Sequence, residues 1–458
     1  MFLPITLALY ALLPWRNLVL LVVSLIFYTW GDPAALPVLL AYIVLNYGVG
    51  LALPIVPRPG LMLAFGVAAN LAILMVFKYL GFLASQIDAV FPALAVPVPS
   101  IALPLGISFI AFQGMSYLID IHRGDVRPQR SLLTFAMYKS MFPQLIAGPI
   151  VRYRSVAARV DHRHASALRL RFGIQVFILG LAQKVLIANV VALPADQIYG
   201  LPPGEVTMAT AWLGAICYAL QIYFDFAGYS NMAIGMAHLF AFSFPPNFNR
   251  PYIAQSMTEF WRRWHISLSS WFRDYLYIPL GGSRGGAVAT YRNLLIVFAL
   301  CGFWHGATWN FLIWGLYNGA LLMLERAFLG AWLARLWRPL RHLYLVLAMV
   351  LGWVVFRADT LPAAGAIYAA MFGLAPGSDL IAPPDRFLNG PVIVALLAGI
   401  ALSATTLPKG RTWVPRPGAP AWFVLRDAVV QVGFLALFVI SALAVASSAY
   451  NPFIYYRF

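Results

Sequence analysis

Apolar residues in this chain come in long blocks, and polar and charged residues fill the gaps between them. Mostly apolar runs cover residues 18–30, 36–53, 61–83, 172–193, 208–224, 227–242, 294–324, 343–356, 391–407 and 428–446, with less clean ones before Pro14 and within 103–150. About 20 apolar residues, rising about 1.5 Å each, span a hydrocarbon core about 30 Å thick. Within that core a helix satisfies its own backbone hydrogen bonds, and an isolated strand does not. The pattern therefore predicts an all-α polytopic membrane protein of roughly eleven to thirteen transmembrane or re-entrant helices.

One stretch obeys another rule. Ser256-Met257-Thr258-Glu259 reads as a capping box that opens a helix. Wound at about 100° per residue, Phe260, Trp261, Trp264, Leu268, Trp271, Phe272 and Tyr275 share one face, while Glu259, Arg262, Arg263, Arg273 and Asp274 share the other. The expectation is one amphipathic helix at an interface, with His265 on the border between its faces. An interfacial anchor whose arginines bind lipid phosphates fits the same wheel.

Composition agrees with the pattern: of 458 residues, 62% are hydrophobic and 10% charged, with mean hydropathy +0.80. No linker, charge block, low-complexity segment or internal repeat divides the chain, so a single membrane domain over residues 1–458 is expected, with no soluble catalytic domain. Absence of repeated halves weighs against a secondary transporter. The first charge is Arg16 and no basic segment precedes the first apolar run, so a removed signal peptide is not expected. The net charge of +16 would suggest nucleic acid in a soluble protein. Here the basic residues sit in short loops at 123–130, 152–171, 326–341 and 409–426, which reads as cytoplasmic loops meeting anionic membrane lipids, with no nucleic-acid partner. Cys217 and Cys301 lie in apolar surroundings and indicate neither a disulfide scaffold nor a metal site.

Against this background His305 stands out, in an uncharged stretch between Arg292 and Glu325. A helical path from Arg292 places it roughly 20 Å along a core about 30 Å thick. An ionisable group at that depth is costly, so it either faces a cavity and works there or is a neutral core histidine satisfied by its neighbours. Asp225, flanked by aromatic and apolar residues, must likewise be paired, solvated or neutralised; pairing with an arginine is at least as good a reading as catalysis. Gly148-Pro149 is expected to break a helix.

Several segments resemble the membrane-bound O-acyltransferase family. They are Glu259-Phe260-Trp261-Arg262-Arg263-Trp264-His265-Ile266-Ser267 and Phe303-Trp304-His305-Gly306. The run Arg273-Asp274-Tyr275-Leu276-Tyr277-Ile278-Pro279-Leu280-Gly281-Gly282 is similar to the bacterial branch that O-acetylates alginate and other exported glycans, as are the segments at 103–109, 142–150 and 221–235. The last departs from the branch pattern, with Ala227 where serine is common and Asn231 where aspartate is common.

The resemblance implies a helical fold around a catalytic cavity and acyl transfer to a hydroxyl. The histidine in the Phe-Trp-His-Gly position, His305, would be the catalytic base, and His265 the second motif histidine. Acetyl-CoA would be the acyl donor rather than a resident cofactor, and the basic loops suit steering of its phosphates. Asn310 is a nearby polar candidate, and Asp225, Asn310, Arg262 and Arg263 are the weak candidates for donor binding; no metal is implied. Aromatic residues in the tail Pro452-Phe453-Ile454-Tyr455 read equally as anchors at the membrane interface; by resemblance, Tyr455 matches a tyrosine proposed in the branch to relay the acyl group. A partner with an SGNH-type serine site in the periplasm would then modify the polysaccharide, and the location would be the bacterial inner membrane. Peptidoglycan O-acetylation and D-alanyl transfer to teichoic acid are alternatives in the same class; a proton-coupled transporter or flippase is the alternative outside it.

Overall fold

The computed structural model describes residues 2–202, 204–375, 382–405, 420–447 and 450. Every regular element among them is helical. Six helices are long and apolar enough to cross a membrane: Pro33–Ala52, Pro59–Val90, Ala167–Tyr199, Gly286–His305, Arg338–Arg357 and Ala421–Ser447. Four shorter apolar helices, Phe2–Leu12, Arg16–Gly31, Leu361–Met371 and Gly390–Ala404, account for other apolar runs. The runs at 208–224 and 227–242 join in one helix, Met208–Leu239.

The described chain falls into two compact units, residues 1–174 with 233–245, and residues 175–232 with 246–458. In the first, Ile107–His122 is buried along nearly its whole length. It packs on Leu36–Ala52 and Pro59–Leu74, whose Asn46 and Asn70 exchange side-chain hydrogen bonds at 3.0 Å. Buried amides paired in this way fix helix register where hydrophobic contact alone is indifferent to it. The Arg163 guanidinium lies over the rings of Tyr10 and Phe242 and donates to the Tyr10 hydroxyl at 2.8 Å.

In the second unit, the uncharged stretch around His305 is a hairpin of two helices, Gly286–His305 and Trp309–Leu324. They cross at glycines: a Cβ on Gly302 would stand 2.2 Å from the Phe311 carbonyl oxygen, and one on Gly315 2.2 Å from that of Phe298. Backbones this close require residues without side chains. Arg338–Arg357 packs on the returning helix.

The amphipathic segment is not one helix. It runs as Met257–Arg263, breaks at Trp264 and His265, and resumes as Ile266–Phe272. The faces read from the wheel survive the break: the seven apolar residues are all buried, while Arg262 and Arg273 are exposed. At its start Ser256 Oγ accepts from the Glu259 amide at 3.0 Å, and Glu259 accepts from the Gln255 amide at 2.9 Å. That is a capping box displaced by one residue.

Among the described residues four π-helical turns interrupt the helices, Met75–Tyr79, Gln183–Ala188, Arg273–Tyr277 and Glu325–Leu329. Each carries a charge. An extra residue in a turn rotates the rest of the helix about its axis, and that lets a polar side chain face inward in an apolar helix. Glu325 shows the result: its buried carboxylate accepts from the amides of Met257 and Thr258 at 2.6 and 2.9 Å, the Thr258 hydroxyl at 2.6 Å and the Tyr344 hydroxyl at 3.1 Å. It ties the hairpin to the first turn of Met257–Arg263, where a carboxylate also meets the positive end of the helix dipole.

Candidate active site

The break at His265 begins with backbone geometry. Trp264 is extended, and His265 has φ 41° and ψ 53°, the left-handed region that a residue with a side chain enters at a penalty of about 1–3 kcal/mol. Such strain persists only where surrounding contacts determine it. Residues 247–249 supply them, running antiparallel beside the break. The Ile266 amide donates to the Asn247 carbonyl at 2.9 Å, and the Asn249 amide donates to the Arg263 carbonyl at 2.9 Å. The Asn247 side chain completes the strap. Its Oδ1 accepts from the Ser267 amide at 3.3 Å and the Ser267 hydroxyl at 2.8 Å, and lies 3.2 Å from His265 Nδ1. Its Nδ2 donates to Ser230 Oγ at 3.1 Å. Backbone groups released by the break are thus paired again.

His305 is positioned by other means. It is the last residue of Gly286–His305, with the close-packed glycine crossing one turn below it. The following Gly306 is extended, and a Cβ there would stand 2.2 Å from the Phe311 ring, so the residue after His305 has no room for a side chain. Aromatic rings surround the imidazole: Trp304, Trp314 and Phe356 lie at 4.9, 5.2 and 5.3 Å between ring centroids.

The two histidines meet. Their ring centroids are 6.5 Å apart, and Trp304 touches both. Phe226 packs on the other imidazole, at 4.6 Å. His265 is 1% exposed and His305 6%. Burial pushes the His265 imidazole, which lies between spanning segments, below its ordinary pKa. Two imidazoles in one apolar cage can take, hold and return a proton without the competition of bulk water. Nε2 of His265 has no hydrogen-bond partner among the described residues.

Other residues singled out in the sequence lie elsewhere or have structural partners. Asp225 is paired with Lys184 at 2.6 Å, both side chains being buried; the sequence suggests an arginine. The pair lies against the π-helical turn Gln183–Ala188. Asn310 donates to the carbonyls of Ala358 at 2.8 Å and Val355 at 3.4 Å, closing the end of Arg338–Arg357. Arg263 pairs with Glu259 at 2.7 Å one turn away, and Arg262 is exposed. Ala227 is buried, and Asn231 donates to Gln183 Oε1 at 2.8 Å. Tyr455 lies outside the described residues. Cys217 and Cys301 are free and buried.

Sequence reading missed Asn247, Ser230, Ser267 and Glu325. The Pro-Pro-Asn-Phe-Asn context of Asn247 reads as an ordinary loop, and nothing in it points to His265. Glu325 gave a weak signal as the charge that ends the uncharged stretch, though not of what it would bind.

Comparison with known proteins adds the chemistry. The profile of MBOAT, the membrane-bound O-acyltransferase family, matches residues 120–350. The chain is 38% identical to a probable alginate O-acetylase AlgI of Azotobacter vinelandii and 39% identical to one of Pseudomonas putida, each match covering 100% of this chain and 98% of the relative. It is 36% identical to the peptidoglycan O-acetyltransferase of Helicobacter pylori over 78% of this chain and 73% of that one.

Proposed function

The chain belongs to the membrane-bound O-acyltransferase family and is an O-acetyltransferase, and from that premise we propose that it passes acetyl groups from cytoplasmic acetyl-CoA across the bacterial inner membrane for O-acetylation of an exported polysaccharide, alginate or a similar glycan. His305 is the base. It takes the proton of a hydroxyl as that oxygen attacks the thioester carbonyl; the C–O bond forms, the C–S bond breaks, and the proton returns to the departing thiolate of CoA. The observation that carries this reading is the shared aromatic cage, with two buried imidazoles 6.5 Å apart on segments that carry the two motif histidines.

The attacking hydroxyl is that of Tyr455, which hands the acetyl group to a periplasmic SGNH-type partner acting on the glycan. In support, the hydroxyl of Tyr450, five residues earlier, is bound by Asp196, and Asp196 pairs with Arg357 at 2.6 Å where Arg338–Arg357 ends. That tether holds Tyr450 beside the end of the helix whose Phe356 packs on His305. A relay ester held near the base would gain from proximity and from exclusion of water.

Incubation with radiolabelled acetyl-CoA tests the reading. Label on the wild-type protein, lost in both His305→Ala and Tyr455→Phe, is expected. Label retained in His305→Ala would overturn the role of the base. Label lost in His305→Ala but kept in Tyr455→Phe would move the relay to another residue. Supplying alginate or peptidoglycan with the partner then identifies the acceptor.

A further inference from the structure

The hydrogen bonds around Asn247 decide which nitrogen of His265 carries its proton. A backbone amide can only donate, so the atom that faces the Ser267 amide at 3.3 Å must be the oxygen of the Asn247 side chain. The opposite orientation would set an NH2 group against that N–H. With the amide so fixed, the atom 3.2 Å from His265 Nδ1 is the same oxygen, which calls for a proton on Nδ1. In a neutral ring Nε2 then holds a lone pair. Asn247, Ser230 and Ser267 are 1%, 1% and 3% exposed, so water does not compete for these positions.

We propose that Asn247 is a positioning residue that holds His265 as the Nδ1–H tautomer, so that Nε2 is the acceptor His265 offers to the cage it shares with His305. The proposal rests on the acyl-transfer reading above for its consequence, and not for the tautomer itself. When His305 takes the hydroxyl proton, both of its nitrogens become donors in an apolar cage, and an imidazolium there needs an acceptor. The centroid separation of 6.5 Å exceeds the roughly 5 Å of a direct N–H···N contact between imidazoles and suits one bridging water, whose oxygen accepts from His305 while its O–H donates to Nε2 of His265. His265 thus orients and steadies the base through that oxygen, as a third group does in other base-activated sites. The partner of its own Nδ1–H is a neutral amide, so His265 accepts a hydrogen bond without being made strongly basic. The left-handed backbone at His265 belongs to the same arrangement, since the side chain of Asn247 reaches Nδ1 and the Ser267 amide together only across the break.

The tautomer is read by NMR of the full-length protein labelled with 13C and 15N in its seven histidines, with His265→Gln assigning the signal. An Nδ1–H signature in the wild type and in Asn247→Asp, replaced by Nε2–H or a mixture in Asn247→Leu, is expected; an Nε2–H wild type overturns the proposal. The consequence is read by turnover and its pH profile. Asn247→Leu should lower kcat by about 10²-fold with the KM for acetyl-CoA within about twofold. Asn247→Asp keeps the acceptor, and Ser230 can turn to donate to it, so it should retain turnover at alkaline pH. Its carboxylate raises the basicity of His265. Because the ring must be neutral to accept, the acid limb of the profile should move to higher pH. An Asn247→Leu protein with wild-type kcat and pH profile would overturn the proposal. Should Asn247→Leu not accumulate, Ser230→Ala removes only the anchor of the amide NH2 and should give a mixed tautomer; a pure Nδ1–H signal there counts against the mechanism. The spectra need no acetyl transfer, so a failure of the acyl-transfer reading would show separately, in His305→Ala.

Discussion

The break that carries His265 and the hairpin end that carries His305 bring imidazoles to one point by opposite means. At His265 the backbone enters a conformation unfavourable for a residue with a side chain, and a polar strap from residues 247–249 sustains it. At His305 the backbone is regular helix to its last residue, and glycines and aromatic rings set the position. The first arrangement is directional: hydrogen bonds choose a tautomer and an orientation. The second is steric and keeps the ring from bulk solvent, at 6% exposure. A base needs both, a dry enclosure where its proton affinity counts and a neighbour that orients it.

The largest effect should come from the base. His305→Ala is expected to lower acetyl transfer by about 10²–10⁴-fold while the protein keeps its thermal transition; full activity would make the cage a packing feature. Next comes the buried Lys184–Asp225 pair, which lies apart from both histidines' contacts and serves the fold. Lys184→Met removes the ammonium held 2.6 Å from the buried Asp225 carboxylate and should destabilise by about 3–5 kcal/mol, whereas Lys184→Met with Asp225→Leu should recover much of that loss. Thermal unfolding in detergent reads both, and a stable but inactive single variant would return Asp225 to the catalytic candidates. Gly302→Ala should destabilise by about 1–3 kcal/mol through backbone overlap at the crossing and lower activity with it. The smallest effect separates strain from chemistry at the break. Asparagine tolerates the left-handed region, so His265→Asn should leave stability within about 1 kcal/mol of wild type while turnover falls. A drop in stability matching the loss of activity would mean that His265 serves the fold.

The pH profile adds a sign. Burial lowers the pKa of His265, and the ring functions when neutral, so protonation should remove activity only below the ordinary imidazole value of about 6.5. An acid limb well above that value would contradict a buried, neutral ring.

The contrast between the two sites also marks what a linear reading can reach. Hydropathy marked the helices long and apolar enough to cross a membrane, because burial in hydrocarbon leaves its record in residue type one position at a time. It read residues 294–324 as one run, because Gly306, Ala307 and Thr308 are apolar or small enough to pass for helix while the crossing at Gly302 and Gly315 turns the chain back. The wheel from Phe260 to Tyr275 predicted the buried face correctly and missed the break within it. The break depends on Asn247, a residue distant in sequence whose three contacts exist only once both segments are in place. Asp225 was legible as a charge in need of a partner; that the partner is Lys184 results from the inward rotation at the π-helical turn, which residue type does not announce.

Whether His265 and His305 act as one unit is read by a double-mutant cycle on acetyl transfer. Rates would be measured for His265→Gln, His305→Gln and the double variant, each confirmed folded. The double variant should be no slower than the slower single variant, because each substitution disables the same step. Losses that multiply would show two histidines acting independently and would contradict that expectation.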